Sequence, residues 1–103
     1  MVREVIRFEV LYGQYTDALE ICHEIDAQVK ALKLPTARYL VPVTGKANIV
    51  ILETEYKNFA DYEKANEAFY SSQDVMKNVR RLAAITVQGS SITELYEDAP
   101  TIA

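Results

Sequence analysis

Cysteine is almost absent from the sequence: Cys22 is the only one among 103 residues, so no disulfide can form within the chain. That fits a reducing compartment, and we expect a cytoplasmic protein. Long apolar runs are also missing, because none approaches the roughly 20 residues that a membrane-spanning helix needs. A strand-like pattern begins close to Met1 and leaves no place for a signal peptide. We therefore expect no membrane partner.

Positive charge is scarce as well. The chain has 11 Lys and Arg residues against 15 Asp and Glu residues, a formal net charge of −4. This balance repels phosphate backbones, and the small basic clusters are spaced as on the solvated face of a helix. We therefore expect no nucleic-acid partner.

The remaining composition is that of a globular protein, with 50% hydrophobic and 25% charged residues. The length suits one domain. We expect a single folded α+β domain over residues 1–97 and a flexible tail over residues 98–103.

Four strands are predicted from alternation of apolar and polar residues or from runs of β-branched residues. They cover residues 5–11, 36–43, 47–56 and 92–97. Pro42 has no N–H to donate to a ladder, which places the second strand at a sheet edge. Thr44, Gly45 and Lys46 form a turn, so the second and third strands should pair antiparallel.

Two helical regions separate these strands. The first begins at a cap on Thr16 and ends near Lys33, and its apolar residues recur at helical spacing. Its stripe consists of Ala18, Cys22, Ile25, Val29 and Leu32. The second region begins at a cap on Asn58, and Ser71 and Ser72 interrupt it as a kink or a fresh cap. The apolar side of its first half consists of Phe59, Tyr62, Ala65, Asn66, Phe69 and Tyr70.

The element order is therefore β-α-β-β-α-β. Right-handed crossovers and sequential pairing fold this order into a four-stranded antiparallel sheet. Its strand order is 4-1-3-2, with both helical regions on one face and the second region broken. The predicted fold class is α+β, a ferredoxin-like sandwich.

The helices of such a sandwich cover one face of the sheet and leave the other open. Strand alternation places apolar residues on the open face beside charged ones, and apolar patches of this kind mark association sites. The residues expected in a dimer interface there are Val5, Arg7, Glu9, Leu40, Ile49, Ile51, Glu53 and Glu94. Arg7 should pair across strands with Glu53 or Glu94. We predict a homodimer; the alternative is a monomer with a hydrated open face.

Three stretches of the chain resemble the dimeric α+β barrel superfamily, particularly its NIPSNAP-like members. They are the strand that ends at Tyr12-Gly13, the hairpin of residues 42–48 and the strand-to-helix run of residues 53–62. The resemblance covers residues 5–97. It implies two sheets packed face to face in a homodimer, with a cleft between each sheet and its own helices.

The superfamily includes cofactor-free monooxygenases, lactone isomerases, haem-degrading enzymes and ligand-sensing domains. Its haem-degrading members use a tryptophan and a histidine on the second helix. This chain has no tryptophan, and its single histidine, His23, lies on the first helix. The resemblance therefore disfavours haem chemistry, and we expect no cofactor.

Two residues with reactive side chains are adjacent on the first helix. Cys22 lies on the apolar stripe, and His23 is turned away from it by about 100°. A buried, inert thiol and a surface histidine are the expected outcome.

Glutamates share the open sheet face, at Glu9, Glu53, Glu55 and Glu94. Clustered carboxylates can bind a hard cation. Arg7 and Arg38 lie on the same face, however, and ion pairs explain the cluster more simply. We therefore predict no metal site.

Tyrosine is the abundant aromatic residue, with seven in the chain. An apolar cleft with a few polar groups is the usual form of a small-molecule site. The candidate residues for such a helix–sheet cleft are Tyr39, Asn48, Tyr56, Tyr62 and Asn66. The alternative is a tyrosine-rich core whose hydroxyls reach water or backbone.

Two functions therefore stay open. The first is a small-ligand protein that binds or transforms an apolar or aromatic molecule in the cleft, similar to cofactor-independent monooxygenases or isomerases of the superfamily. The second is a non-catalytic dimeric binding or assembly module, with the open sheet face as its working surface.

Overall fold

A computed structural model describes residues 1–100 of the chain. Residues 101–103, the end of the predicted tail, lie outside the described part. The elements in chain order are β1 (Val2–Glu9), α1 (Tyr15–Ala31), β2 (Arg38–Leu40), β3 (Ile49–Tyr56), α2 (Phe59–Ser71), α3 (Gln73–Ala84) and β4 (Ile92–Glu97). Among the helices of residues 1–100, none combines the length and the apolar character that crossing a bilayer requires.

The four strands form one antiparallel sheet in the order β2-β3-β1-β4. This confirms the predicted strand order and the ferredoxin-like α+β fold. Val2 pairs with Tyr56 of β3 and with Glu97 of β4, so β1 lies between these two strands. Because side chains alternate along a strand, the register defines two sides of the sheet. Along β1, the helix-facing side carries Val2, Glu4, Ile6 and Phe8, and the open face carries Arg3, Val5, Arg7 and Glu9.

The core lies between the helix-facing side of the sheet and the helices. Its first cluster of buried residues consists of Phe8, Val10, Ala18, Cys22 and Val50. A second cluster joins α1 to α3 and consists of Ile21, Ile25, Val29 and Val75. The predicted stripe of α1 is buried except at its end, where Leu32 is 43% exposed.

β1 begins and ends earlier than the predicted strand of residues 5–11. Residues 2–4 each have partners in both β3 and β4. After Glu9 the backbone leaves the ladder, and the Val10 N–H donates to the Asn48 carbonyl at 2.8 Å. Pairing partners far away in the chain decide these ends, so local alternation cannot place them.

β2 covers only Arg38–Leu40, where the alternation predicts residues 36–43. It lies at the sheet edge, as Pro42 predicts. Val43 is 98% exposed, and the predicted short turn is a loop over residues 41–48. The physical reason is that Pro42 lacks the N–H that would prolong the ladder.

α1 begins one residue before the predicted cap on Thr16. Gln14 occupies the N-cap position, and its side chain makes no capping hydrogen bond within residues 1–100. The cap prediction for Thr16 is therefore wrong, since this residue lies in the first turn. The helix ends at Ala31, and Lys33 beyond it has a φ of 59°, in the left-handed region that terminates helices.

The second helical region is broken at the two serines, as predicted. α2 ends at Ser71, and α3 begins at Gln73. Between them Ser72 has extended backbone, and its Oγ accepts a hydrogen bond from the Val75 N–H at 3.3 Å. Ser72 is thus the N-cap of a new helix, so α3 need not continue along the axis of α2.

Asn58 caps α2 as predicted, because its Oδ1 accepts a hydrogen bond from the Asp61 N–H at 2.8 Å. Replacing Asn58 by alanine removes this acceptor, and we expect the free energy of unfolding to fall by about 1 kcal/mol. Asn58→Asp keeps an oxygen acceptor and should stay close to the wild type. Urea denaturation at one protein concentration checks this, and an alanine variant of full stability would contradict the role of the cap.

Candidate functional site

A cavity of about 720 Å³ lies between the helix-facing side of the sheet and the three helices. Small-molecule sites usually enclose roughly 300–1,000 Å³ and have mostly apolar walls. Apolar residues that line this cavity include Ile6, Phe8, Ile25, Leu52, Phe69 and Leu82. The helix–sheet cleft is therefore open, not filled by side chains.

The helix α2 forms one wall of the cavity. Among the residues predicted to form its apolar side, Ala65 is buried and lines the cavity. Phe59 is exposed and does not line the cavity, so the prediction of one packed side is wrong for it, whereas Tyr70 lines the cavity although it is 61% exposed. α2 contacts β3 and α3, and its side chains at Ala65, Asn66, Phe69 and Tyr70 line the cavity.

Three of the five residues predicted for the cleft line the cavity: Tyr39, Tyr56 and Asn66. They come from β2, β3 and α2, so three separate elements contribute polar groups. Tyr62 is not a lining residue itself, but its hydroxyl donates a hydrogen bond to the carboxylate of Glu4, which is one.

Asn48 does not line the cavity, in contrast to the prediction. Its φ is 60°, in the left-handed region where asparagine is enriched, and β3 begins only at Ile49. The strand alternation that predicted a helix-facing side chain therefore does not extend to Asn48. Its carbonyl accepts the Val10 N–H, which makes it a loop residue with a backbone role.

Glu4 is a cavity residue that the sequence prediction missed. The predicted strand began at Val5, whereas the ladder begins at Val2 and places Glu4 on the same side as Ile6. Glu4 and Ile6 are two residues apart, and this strand spacing is the signal that could have identified Glu4 as a cavity residue. Glu4 Oε2 accepts a hydrogen bond from Tyr62 Oη at 3.1 Å. Burial raises the pKa of Glu4, partly offset by that hydrogen bond.

The hydroxyls of Tyr56 and Tyr62 stay protonated at neutral pH. Burial raises the pKa of Tyr56 to about 12, and the neighbouring Glu4 carboxylate adds to the shift. Burial and Glu4 raise the pKa of Tyr62 in the same way. The Tyr56 and Tyr62 rings meet edge to face, with centroids 5.2 Å apart. Near Glu4 the cavity is therefore bordered by the ring and neutral hydroxyl of Tyr56, which packs against Tyr62.

The wall near α1 contains the single cysteine. Tyr39 Oη donates to the Cys22 carbonyl at 2.9 Å. Cys22 is buried as predicted, and burial raises the pKa of its thiol to about 11. A protonated, buried thiol is a poor nucleophile. His23 is exposed, also as predicted, so neither Cys22 nor His23 contributes a reactive group to the cavity.

The open face carries ion pairs across its strands. Arg7 lies 3.4 Å from Glu94, one of its two predicted partners, whereas Glu53 pairs with Arg38 at 2.9 Å. The other pairs are Arg3 with both Glu53 and Glu55, and Lys46 with Glu9. Within residues 1–100 no group of three or more His, Cys, Asp or Glu side chains has the geometry to hold a metal ion.

Apolar side chains lie between these ion pairs. Val5, Ile49 and Ile51 are half-buried in the single chain. Leu40 is exposed, and Ile92 is exposed at 52%. All of them lie on the open face by register, as the alternation predicts.

Neither a scan against protein-family models nor a comparison with curated proteins gives a match. Solved structures do match. An uncharacterised NIPSNAP domain protein from Burkholderia xenovorans has a TM-score of 0.81 at 12% identity, over 100% of this chain and 99% of that chain. A NIPSNAP family protein from Agrobacterium tumefaciens has a TM-score of 0.76 at 19% identity, over 95% and 92%.

A third structure is that of an antibiotic biosynthesis monooxygenase. Its TM-score is 0.76 at 11% identity, over 97% of this chain and 100% of that chain. Likeness at this identity concerns the backbone, so it establishes the fold. The chain has the ferredoxin-like α+β fold of NIPSNAP family proteins and antibiotic biosynthesis monooxygenases, which is the fold that the resemblance to the dimeric α+β barrel superfamily predicts.

Proposed function

We propose that the protein binds a small apolar or aromatic molecule in the helix–sheet cavity and transforms it there. The observation that carries the proposal is the cavity itself, a space of about 720 Å³ with a mostly apolar wall. An apolar wall favours binding, and polar groups such as Glu4, Tyr39, Tyr56 and Asn66 orient the ligand.

The reaction class that fits is oxygenation or isomerisation without a cofactor. The likeness in fold to an antibiotic biosynthesis monooxygenase supports it. So does Glu4, because it is a carboxyl group in the cavity wall whose pKa is raised by burial, and positioned carboxyl groups serve as general acids or bases. The neutral hydroxyl of Tyr56 in the cavity wall can donate a hydrogen bond to a developing oxyanion.

We also propose a cytoplasmic homodimer in which the open faces of two copies pack together, with residues 1–97 as the folded domain of each. Leu40, Ile92 and Tyr96 support this, because association would remove their exposed apolar surface from water. The ion pairs on the same face leave little unpaired charge to bury. The unpaired thiol of Cys22 fits a reducing compartment.

Ala65→Phe should weaken the binding of a neutral fluorescent probe, N-phenyl-1-naphthylamine. Ala65 lines the cavity, and a phenyl ring on its Cβ would occupy space that the probe needs. We expect the Kd for the probe to rise at least about tenfold. The measurement is a titration followed by the fluorescence of the probe, which increases in apolar surroundings.

Ala27→Phe is the matched control, since Ala27 lies on the exposed side of α1. It adds the same ring outside the cavity and should leave probe binding unchanged. Thermal unfolding of both variants shows whether each is folded. A wild type that does not bind the probe, or equal loss in the two variants, would contradict the cavity as a binding site.

A further inference from the structure

Carboxylates on the two sides of the sheet have different partners. On the open face, Glu53, Glu55 and Glu94 each have an arginine nitrogen within 3.5 Å. On the helix-facing side, Glu4 has none: within residues 1–100, no lysine, arginine or amino-terminal nitrogen lies within 4.0 Å of its carboxylate. Its hydrogen-bond donor is the neutral hydroxyl of Tyr62.

The cavity as a whole lacks positive charge. Its lining includes two carboxylates, Glu4 and Asp26, and no lysine, arginine or histidine of residues 1–100. Burial without a counter-charge disfavours the ionised form of Glu4, which is why its pKa is raised. A cation brought into the cavity would remove this penalty.

The surroundings of Glu4 suit an organic cation. The Tyr62 hydroxyl binds the carboxylate, and Tyr56, which packs edge to face against the Tyr62 ring, lines the cavity and supplies an aromatic ring of the kind that attracts cations. Ile6 and Leu52, which pair across β1 and β3, form an apolar floor next to it. A ligand with a charged end and an apolar body would match both parts of the cavity.

We propose that the cavity selects an amine with an apolar or aromatic body, whose ammonium group binds the Glu4 carboxylate. The inference rests on the proposed function, because it requires the cavity to bind a ligand, and it names the class of that ligand. An ammonium donates charge-assisted hydrogen bonds to a carboxylate. An anion of the same size would meet Glu4 and Asp26 without a positive side chain, so the cavity would reject it.

The experiment displaces N-phenyl-1-naphthylamine with three molecules that share a phenylethyl body. They are 2-phenylethylamine, 2-phenylethanol and 3-phenylpropionate, which at neutral pH are a cation, a neutral molecule and an anion. We expect the amine to displace the probe at about a tenfold lower concentration than the alcohol, since a hydrogen bond to a charged group is the stronger one. The propionate should be the weakest competitor.

Two variants test whether Glu4 causes the preference for the amine over the alcohol. In Glu4→Gln the advantage of the amine over the alcohol should disappear, while the alcohol and the probe still bind, which shows that the cavity is intact. Glu63→Gln removes the same charge from an exposed position on α2 and should keep the preference.

The outcomes separate this inference from the function on which it rests. A wild type that does not bind the probe contradicts the proposed function. A wild type that binds the probe but is displaced equally by amine and alcohol overturns the inference alone. A preference for the amine that persists in Glu4→Gln also overturns it, because Glu4 would then not be the binding group.

Discussion

Replacing Ile51 by lysine is expected to turn the proposed homodimer into a monomer. Ile51 lies on the open face of β3, directly between Arg7 of β1 and Leu40 of β2. In the proposed dimer a lysine there would be buried opposite Arg7, and an unpaired buried charge costs several kcal/mol. A loss of about 4 kcal/mol raises the Kd of a dimer by roughly a thousandfold. Glutamate would be a weaker test, since Arg7 would pair with it.

Sedimentation velocity over a range of concentrations measures the effect. Val43→Lys is the matched control, because Val43 is 98% exposed in the loop of residues 41–48 and lies outside the sheet. It adds the same charge and should sediment as the wild type does. A lysine variant of Ile51 that still sediments as a dimer would rule out the proposed interface, as would a wild type that is monomeric throughout.

Replacing Phe8 by alanine is expected to cause the largest loss of stability. Phe8 is 6% exposed and packs with Val10, Ala18, Cys22 and Val50. Truncating a buried phenylalanine to alanine costs about 3–5 kcal/mol. The free energy of unfolding of a domain is only about 5–15 kcal/mol, so this is a large share of it. Phe8 also lines the cavity, so the alanine would enlarge an existing space that the core does not close.

Urea denaturation at a fixed protein concentration is the appropriate measurement, because the stability of a dimer depends on concentration. Leu32→Ala is the control: Leu32 is 43% exposed at the end of α1, and its truncation should change the free energy of unfolding by less than about 1 kcal/mol. If Phe8→Ala lost no more than this control, the core would not be organised around Phe8.

Local features of the fold are predictable because their causes lie within a few residues. Alternation through Arg7, Phe8 and Glu9 assigns the two sides of β1 correctly, since the period of a strand is a property of the backbone itself. The caps on Asn58 and Ser72 are predictable for the same reason, because each needs only a side-chain oxygen and an N–H three residues further on. At Thr16 the cap chemistry is present, but the N-cap is Gln14, so the helix begins two residues earlier than a cap at Thr16 predicts.

The candidate site was predictable in part. Tyr39, Tyr56 and Asn66 reach the cavity because their faces follow from periodicity. Asn48 does not, because a single left-handed φ interrupts the alternation before β3 begins. Glu4 was missed because the start of β1 depends on its pairing with β3 and β4, which are distant in the chain.

The sequence by itself therefore determined the fold class, the strand order, the break between α2 and α3 and the side of the sheet on which most strand residues lie. These follow from periodicity, caps and connection rules, which act over short segments. Only the tertiary structure decided that a cavity lies under α2 and that the Glu4 carboxylate borders it without a cationic side chain. The reason is that cavity volume and charge pairing depend on how distant residues pack together, and no local pattern encodes that packing.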